Sequence, residues 1–221
     1  MRLSSLDILS MSHSYQLIWF RQDLRIHDHT ALWHATQAGQ CIALVILSPE
    51  QSQQHDDAPI KIEFYLRQLQ QLKQQLNTLN IPLIIQHIPL WKDVGNFFTE
   101  LLQRINIENV YANIELGVNE LKRDHDVQKV LNQQQKELIL FHDRTLFPLR
   151  SIRNQSNLPY QVFGAFKKTC YQRLQHGLPQ CYPLPDAQQP IVEDFSFFNQ
   201  ANLTILQQAY ASTLEQNMID H

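Results

Sequence analysis

Over the first ~150 residues the apolar positions switch repeatedly between two spacings. Leu17, Ile18, Trp19 and Phe20 form a short unbroken run, which predicts a buried strand. Over residues 28–38 the apolar side chains fall at Ala31, Leu32 and Ala35, and Gly39 follows as a stop; this predicts a short helix. Residues 41–47 are continuously apolar, as parallel strands covered on both faces are, and Ser48-Pro49 ends the run. Beyond Pro59, the positions Phe64, Leu66, Leu69, Leu72, Leu76 and Leu79 mark a long amphipathic helix. Leu83, Ile84 and Ile85 read as a third strand. Val94, Phe97, Phe98, Leu101 and Leu102 mark another helix. A fourth strand over 109–112, a helix over 117–134 and a fifth strand over 138–141 complete the pattern.

Strand–helix alternation with short joints predicts an α/β fold: a doubly wound, five-stranded parallel Rossmann-like sheet with helices on both faces. Ligands of such sheets sit outside the carboxyl ends of the strands, near the point where strand order switches. Four loops are therefore candidates: residues 21–28, 48–59, 86–92 and 113–120. After Phe141 the pattern changes. The expected organisation is an N-terminal extension over 1–14, the α/β domain over 15–145, and a linker over 146–190. The linker carries one helix, at 160–174, and an extended stretch with Pro179, Pro183, Pro185 and Pro190. An acidic tail over 191–221 follows, with a final helix expected over 197–214. No Lys or Arg follows Arg173, whereas Arg144, Arg150, Arg153, Lys167, Lys168 and Arg173 cluster before it.

Composition narrows the function classes. The chain has 221 residues, 43% hydrophobic and 18% charged, which suits a folded domain rather than a disordered one. Its 18 Lys+Arg against 21 Asp+Glu give a net charge of −3, so no global basic surface argues for binding nucleic acid through phosphates. Cys41, Cys170 and Cys181 form neither an even framework nor a C-x-x-C pair, which fits a reducing compartment. With no apolar run near the ~18 residues of a membrane span and no signal-peptide core, the expected location is cytoplasmic. The five glycines make neither G-x-G-x-x-G nor G-x-x-x-x-G-K-[ST], and no G-x-S-x-G is present, against ordinary dinucleotide, P-loop or serine-hydrolase chemistry. His27, His29 and His34 have no carboxylate or thiol at helix-face spacing, so no metal site is expected.

The loop after the first strand has the densest chemistry. It carries Arg21, Asp23 and Arg25, where Asp23 can pair with either arginine and an arginine fork suits a carboxylate or a backbone carbonyl. Asp28 is placed to cap the following helix. The whole stretch, Leu17-Ile18-Trp19-Phe20-Arg21-Gln22-Asp23-Leu24-Arg25-Ile26-His27-Asp28, closely resembles the opening strand and loop of the DNA photolyase/cryptochrome family. Val118-Asn119-Glu120 with Arg123-Asp124 resembles that family's V-N-E-x-x-R-D segment. Tyr160, Val162, Phe163 and Phe166 resemble its Y-x-V-F-x-x-F segment, except that Gly164-Ala165 stands where the family often has Thr-Pro. The likeness runs over about residues 15–185 with these motifs in register, and is to the folate-type class I dimer photolyases.

The resemblance implies a light-harvesting domain. Photolyases repair cyclobutane pyrimidine dimers with blue or near-UV light; their N-terminal α/β domain binds an antenna pigment, often 5,10-methenyltetrahydrofolate. Their C-terminal helical domain binds FAD and the lesion. By the same resemblance His55, in the loop after the second strand, and the pair Asn119 and Glu120 are the expected antenna-binding residues, while Arg21, Asp23, Arg25 and Asp28 are a structural loop motif. These residue types suit a pterin, whose edge shows adjacent donors and an acceptor that a carboxylate and an amide can match. Glu120 also falls in the first turn of a helix, where negative charge is favoured. The FAD half, its tryptophan chain and the lesion pocket lie beyond this sequence. The expectation is an antenna domain that does no repair alone, meets damaged DNA only through the full-length enzyme, and binds folate more weakly without the FAD domain. Two other readings remain open: a non-enzymatic α/β module that binds a partner protein, and an adenine-nucleotide module.

Overall fold

The computed structural model describes residues 13–198. The strands are β1 (Tyr15–Phe20), β2 (Cys41–Leu47), β3 (Leu83–His87), β4 (Ile107–Asn113) and β5 (Leu138–Phe141). The helices are α1 (Thr30–Ala38), α2 (Pro49–Gln54), α3 (Pro59–Thr78), α4 (Val94–Arg104), α5 (Val118–Gln133) and α6 (Phe163–Gln175). The sheet is parallel throughout, in the order β3-β2-β1-β4-β5, with Ile18 lying between Ala43 and Tyr111. Strand order therefore switches at β1, between β2 and β4, which opens a crevice at their carboxyl ends.

The apolar runs are continuous because both faces are covered. Side chains alternate across the sheet, so Leu17 and Trp19 face one layer while Ile18 and Phe20 face the other. The first layer is completed by Val94, Phe97, Phe98 and Leu101 of α4 and by Val127 and Leu131 of α5. The second is completed by Leu32 and Ala35 of α1 and by Leu66, Leu69, Leu72 and Leu76 of α3. Those four α3 leucines are all but fully buried. At roughly 2 kcal/mol each, their burial is what holds a glutamine-rich helix on the sheet.

Helix α2 lies inside a stretch expected to be loop. Pro49 at its first turn and Glu50 beside it suit a helix start, but six residues with no buried side chain leave no apolar period to read. Helix α6 begins at Phe163, three residues after the expected start, and buries none of its residues. The extended stretch after it is fastened to the α/β layers. The Gln188 side chain accepts from Cys41 N–H at 2.8 Å and donates to the carbonyls of Cys41 and Asn80, each at 2.9 Å. Its backbone also donates to Leu79 and accepts from the Asn80 amide. The stretch thus crosses the amino ends of β2 and β3. It ends with Phe195 and Phe198 buried in the α4–α5 layer, where Phe195 meets Tyr15 edge-on. The helix expected over 197–214 and the tail to 221 lie outside the described residues, apart from a single turn of 3-10 helix at Ser196–Phe198. No helix among the described residues is long and apolar enough to cross a membrane.

Candidate functional site

Strand β1 delivers Arg21 to the crevice, where it is buried. Its guanidinium forks as its shape permits: Nη1 binds both carboxylate oxygens of Asp124 at 3.1 Å, and Nη2 donates to the carbonyl of Asn113. Arg123, one turn into α5, binds Asp124 at 2.7 Å and Glu115 at 2.9 Å. Two guanidinium groups and two carboxylates thus cancel in a buried quartet. Burial pulls Arg21 down from its usual range, and Asp124 opposes that pull. The Trp19 ring lies 5.0 Å from the Arg21 guanidinium and 4.8 Å from that of Arg123, both within cation–π range. The quartet ties β1, the β4–α5 joint and α5 into one block.

Asp23 does not pair with either arginine side chain. It accepts from the Arg21 backbone N–H at 2.9 Å, from the Asn113 amide at 2.8 Å and from His29 Nε2 at 3.0 Å. Burial pushes its carboxyl up, but the His29 side chain, the Arg21 N–H and the nearby Arg21 charge prevail and hold it well below the usual carboxylate range. Arg25 instead pairs with Asp143 after β5.

Asp28 is not the cap of α1, and that expectation is corrected. The cap is His29, whose Nδ1 accepts the Leu32 N–H at 3.0 Å. The reason is conformational. Asp28 adopts a left-handed φ of 47°, which Asp tolerates, and its side chain turns away to accept the Tyr182 backbone N–H at 2.9 Å. It therefore anchors the extended stretch to the first loop. His34 stacks on Phe141 with ring centroids 4.5 Å apart, so two of the three histidines weighed as metal ligands serve packing and capping.

Above the quartet lies a cavity of about 400 Å³, within the usual size of a small-molecule site. All four candidate loops line it, through Arg21, Ser48, His55, Trp91, Glu115 and Glu120 among others. Tyr65 of α3 closes one wall and donates its hydroxyl to the Arg21 carbonyl at 2.9 Å. Ser48 Oγ is buried beside the cavity without a hydrogen-bonding partner among the described residues.

Of the three expected antenna residues, His55 and Glu120 line the cavity, and Asn119 stands beside it in contact with His55. His55 follows directly on α2 and is exposed. Asn119, in the first turn of α5, places its amide nitrogen 3.2 Å from His55 Nε2. Glu120 lines the cavity one residue on, without an ion-pair or hydrogen-bonding partner among the described residues. Its carboxylate folds back over Gly117: a β-carbon there would stand 1.9 Å from Glu120 Oε2. Gly117 thus provides the space this carboxylate occupies.

Two residues not singled out from sequence complete this wall. Gln51 accepts the Trp91 backbone N–H at 3.2 Å through Oε1, and its Nε2 lies 3.0 Å from His55 Nε2. The Trp91 ring meets the His55 ring edge-on at 5.1 Å and lies 4.9 Å from the Arg123 guanidinium. The available signals were Gln51 lying four positions before His55, a helix-neighbour spacing, and Trp91 lying in the loop at the end of the third strand.

The DNA photolyase family model matches residues 16–185. The chain is 37% identical over 171 residues to the deoxyribodipyrimidine photo-lyase of Buchnera aphidicola from Acyrthosiphon pisum, covering 76% of this chain and 35% of that protein. It is 33% identical to the same-named protein of Escherichia coli, covering 76% and 36%. The chain thus spans about a third of the length of these relatives. Among solved structures, the cryptochrome of Synechocystis superposes with a TM-score of 0.66 at 22% identity, over 87% of this chain and 42% of that one. An archaeal photolyase from Sulfolobus tokodaii, described with two FAD molecules and a novel light-harvesting cofactor, superposes with a TM-score of 0.63 at 20% identity, over 90% and 41%. The fold shared is that of their N-terminal α/β domains. With matched sequence running from β1 to the prolines after α6, this chain belongs to the DNA photolyase family.

Proposed function

We propose that this chain is the antenna-binding domain of a deoxyribodipyrimidine photo-lyase, holding a folate-type pigment that passes excitation to a flavin carried elsewhere. The observation that carries this reading is the meeting of His55 and Glu120 at one cavity on the carboxyl side of the sheet, with Asn119 within hydrogen-bonding distance of His55. Glu120 can accept from two adjacent ring donors, and the Asn119 amide can both donate and accept, which matches the edge of a pterin. Trp91 lines the cavity, and Trp19 lies against the Arg21 and Arg123 guanidinium groups. Light-driven bond cleavage needs FAD beside a flipped-out lesion, which belongs to the remaining two thirds of the relatives.

A second surface supports a protein partner in the same reading. Leu146, Phe147 and Leu149 form an apolar groove with Phe163, Phe166 and Leu174 of α6, a helix with no buried face. A FAD-bearing helical domain is the proposed occupant, and damaged DNA is reached only through it.

Titration of the purified chain with 5,10-methenyltetrahydrofolate, followed by near-UV absorption and fluorescence, tests the reading. Saturable binding with a shifted spectrum is expected, weaker alone than with a separately expressed FAD domain. Saturable binding of a deazaflavin or flavin nucleotide in its place reassigns the pigment. No binding of any of them, with or without the FAD domain, overturns the antenna role. Gel filtration of the two pieces together reads the docking directly.

A further inference from the structure

The hydrogen bonds around His55 determine which of its ring nitrogens bears the proton. The Trp91 backbone N–H can only donate, so the Gln51 atom facing it is the carbonyl oxygen, Oε1. The other end of that amide, facing His55 at 3.0 Å, is then NH₂ and also only donates. His55 Nε2 must accept, so it carries no proton. We infer that Gln51 holds His55 as the neutral Nδ1–H imidazole, and that Gln51 is a positioning residue of the pigment site.

The same geometry frees Asn119, whose amide nitrogen lies 3.2 Å from the same His55 Nε2. One nitrogen lone pair thus faces two donors, and Gln51 alone satisfies it. Asn119 is the surplus donor and can turn to a ligand without leaving His55 unpaired. Gln51 is anchored by Trp91, whereas Asn119 is exposed and has no other side-chain partner among the described residues. The site therefore presents one neutral ring, one movable amide and one unpaired carboxylate, Glu120. That set suits a planar heterocycle showing an acceptor beside donors, and a neutral His55 does not repel a cationic one. The ligand class rests on the antenna proposal; the state of His55 does not.

Long-range proton–nitrogen correlation spectra of the uniformly ¹⁵N-labelled chain read the tautomer directly. The His55 signals are identified by their loss in His55→Gln. The expected pattern is a protonated Nδ1 and an unprotonated Nε2. Gln51→Glu keeps an oxygen for Trp91 but replaces the donor with a second acceptor, so the His55 proton should move to Nε2. A wild-type Nε2–H pattern, or a pattern unchanged in Gln51→Glu, overturns the inference. A thermal melt of Gln51→Glu that matches wild type separates this effect from misfolding. In the pigment titration, Gln51→Leu should weaken binding about three- to tenfold, on the order of one lost hydrogen bond. If no pigment binds the wild type, with or without the FAD domain, while the tautomer pattern appears as stated, the antenna reading fails and the assignment of Gln51 to His55 stands.

Discussion

Asn119 and His55 stand 64 positions apart in sequence, yet the Asn119 amide nitrogen lies 3.2 Å from His55 Nε2. The contact joins the first turn of α5 to the end of α2. His55 and Glu120 both line the cavity beside it. Glu120→Ala should weaken 5,10-methenyltetrahydrofolate binding by ~1–3 kcal/mol, since it removes a charged acceptor. Equilibrium titration by absorption measures it, and an unchanged affinity removes Glu120 from the site.

Gly117→Ala probes the same carboxylate without deleting it. The backbone φ of −70° at Gly117 accepts any residue, so stability should stay within about 1 kcal/mol of wild type. The new methyl group would nevertheless claim the space that Glu120 Oε2 occupies. Pigment affinity should fall while the urea midpoint does not. A parallel loss of both would mean that the glycine serves the fold rather than the carboxylate.

The buried quartet should behave as a unit. Arg21→Ala strands Asp124 without its forked partner, and the expected cost is about 3–5 kcal/mol. The double change Arg21→Ala with Asp124→Ala should cost less than the sum of the single changes, because no uncompensated charge is left between these two. Urea unfolding of the four proteins gives the coupling, and simple additivity would contradict the network.

Asp23 predicts an acid-sensitive fold. Its folded carboxyl binds a proton less readily than the unfolded chain does, where the ordinary value is 3.8. The unfolded state therefore takes up more protons as pH falls, and folding stability falls with it. The contribution is complete above the ordinary carboxylate range and disappears as pH drops towards the folded value. Asp23→Asn should be less stable than wild type at neutral pH by ~1–3 kcal/mol, since His29 and the Arg21 N–H lose a charged acceptor. The gap between the two proteins should narrow from about pH 5 to about pH 3. Urea midpoints across that range test it, and a constant gap would refute it.

Gln188 holds the extended stretch by three side-chain hydrogen bonds to backbone. Gln188→Ala should cost ~1–3 kcal/mol, on the order of ~1 kcal/mol per bond with partial replacement by water. It should also speed proteolysis within residues 178–190. If cleavage there is as slow as in wild type, Tyr182, Phe195 and Phe198 hold the stretch without it.

The layered α/β class, the five strands and the main helices were legible in the amino-acid order, because burial on one face or two leaves a period in the apolar positions. It also marked the loops that line the cavity, since in a parallel sheet the carboxyl ends of strands follow from chain direction alone. Through family likeness it marked His55, Asn119 and Glu120. Strand order had to come from the folded chain, since a period reports that a face is buried and not what buries it. The same holds for polar partners. Arg21 had two acidic residues nearby in sequence and took Asp124, 103 positions away. His29 rather than Asp28 capped α1, because Asp28 turned to the chain at Tyr182. Gln51 and Trp91 joined His55 through a six-residue helix too short to print a period. Hydrogen-bond choice depends on which groups are brought within about 3 Å, and for residues far apart in sequence only the folded chain brings them there.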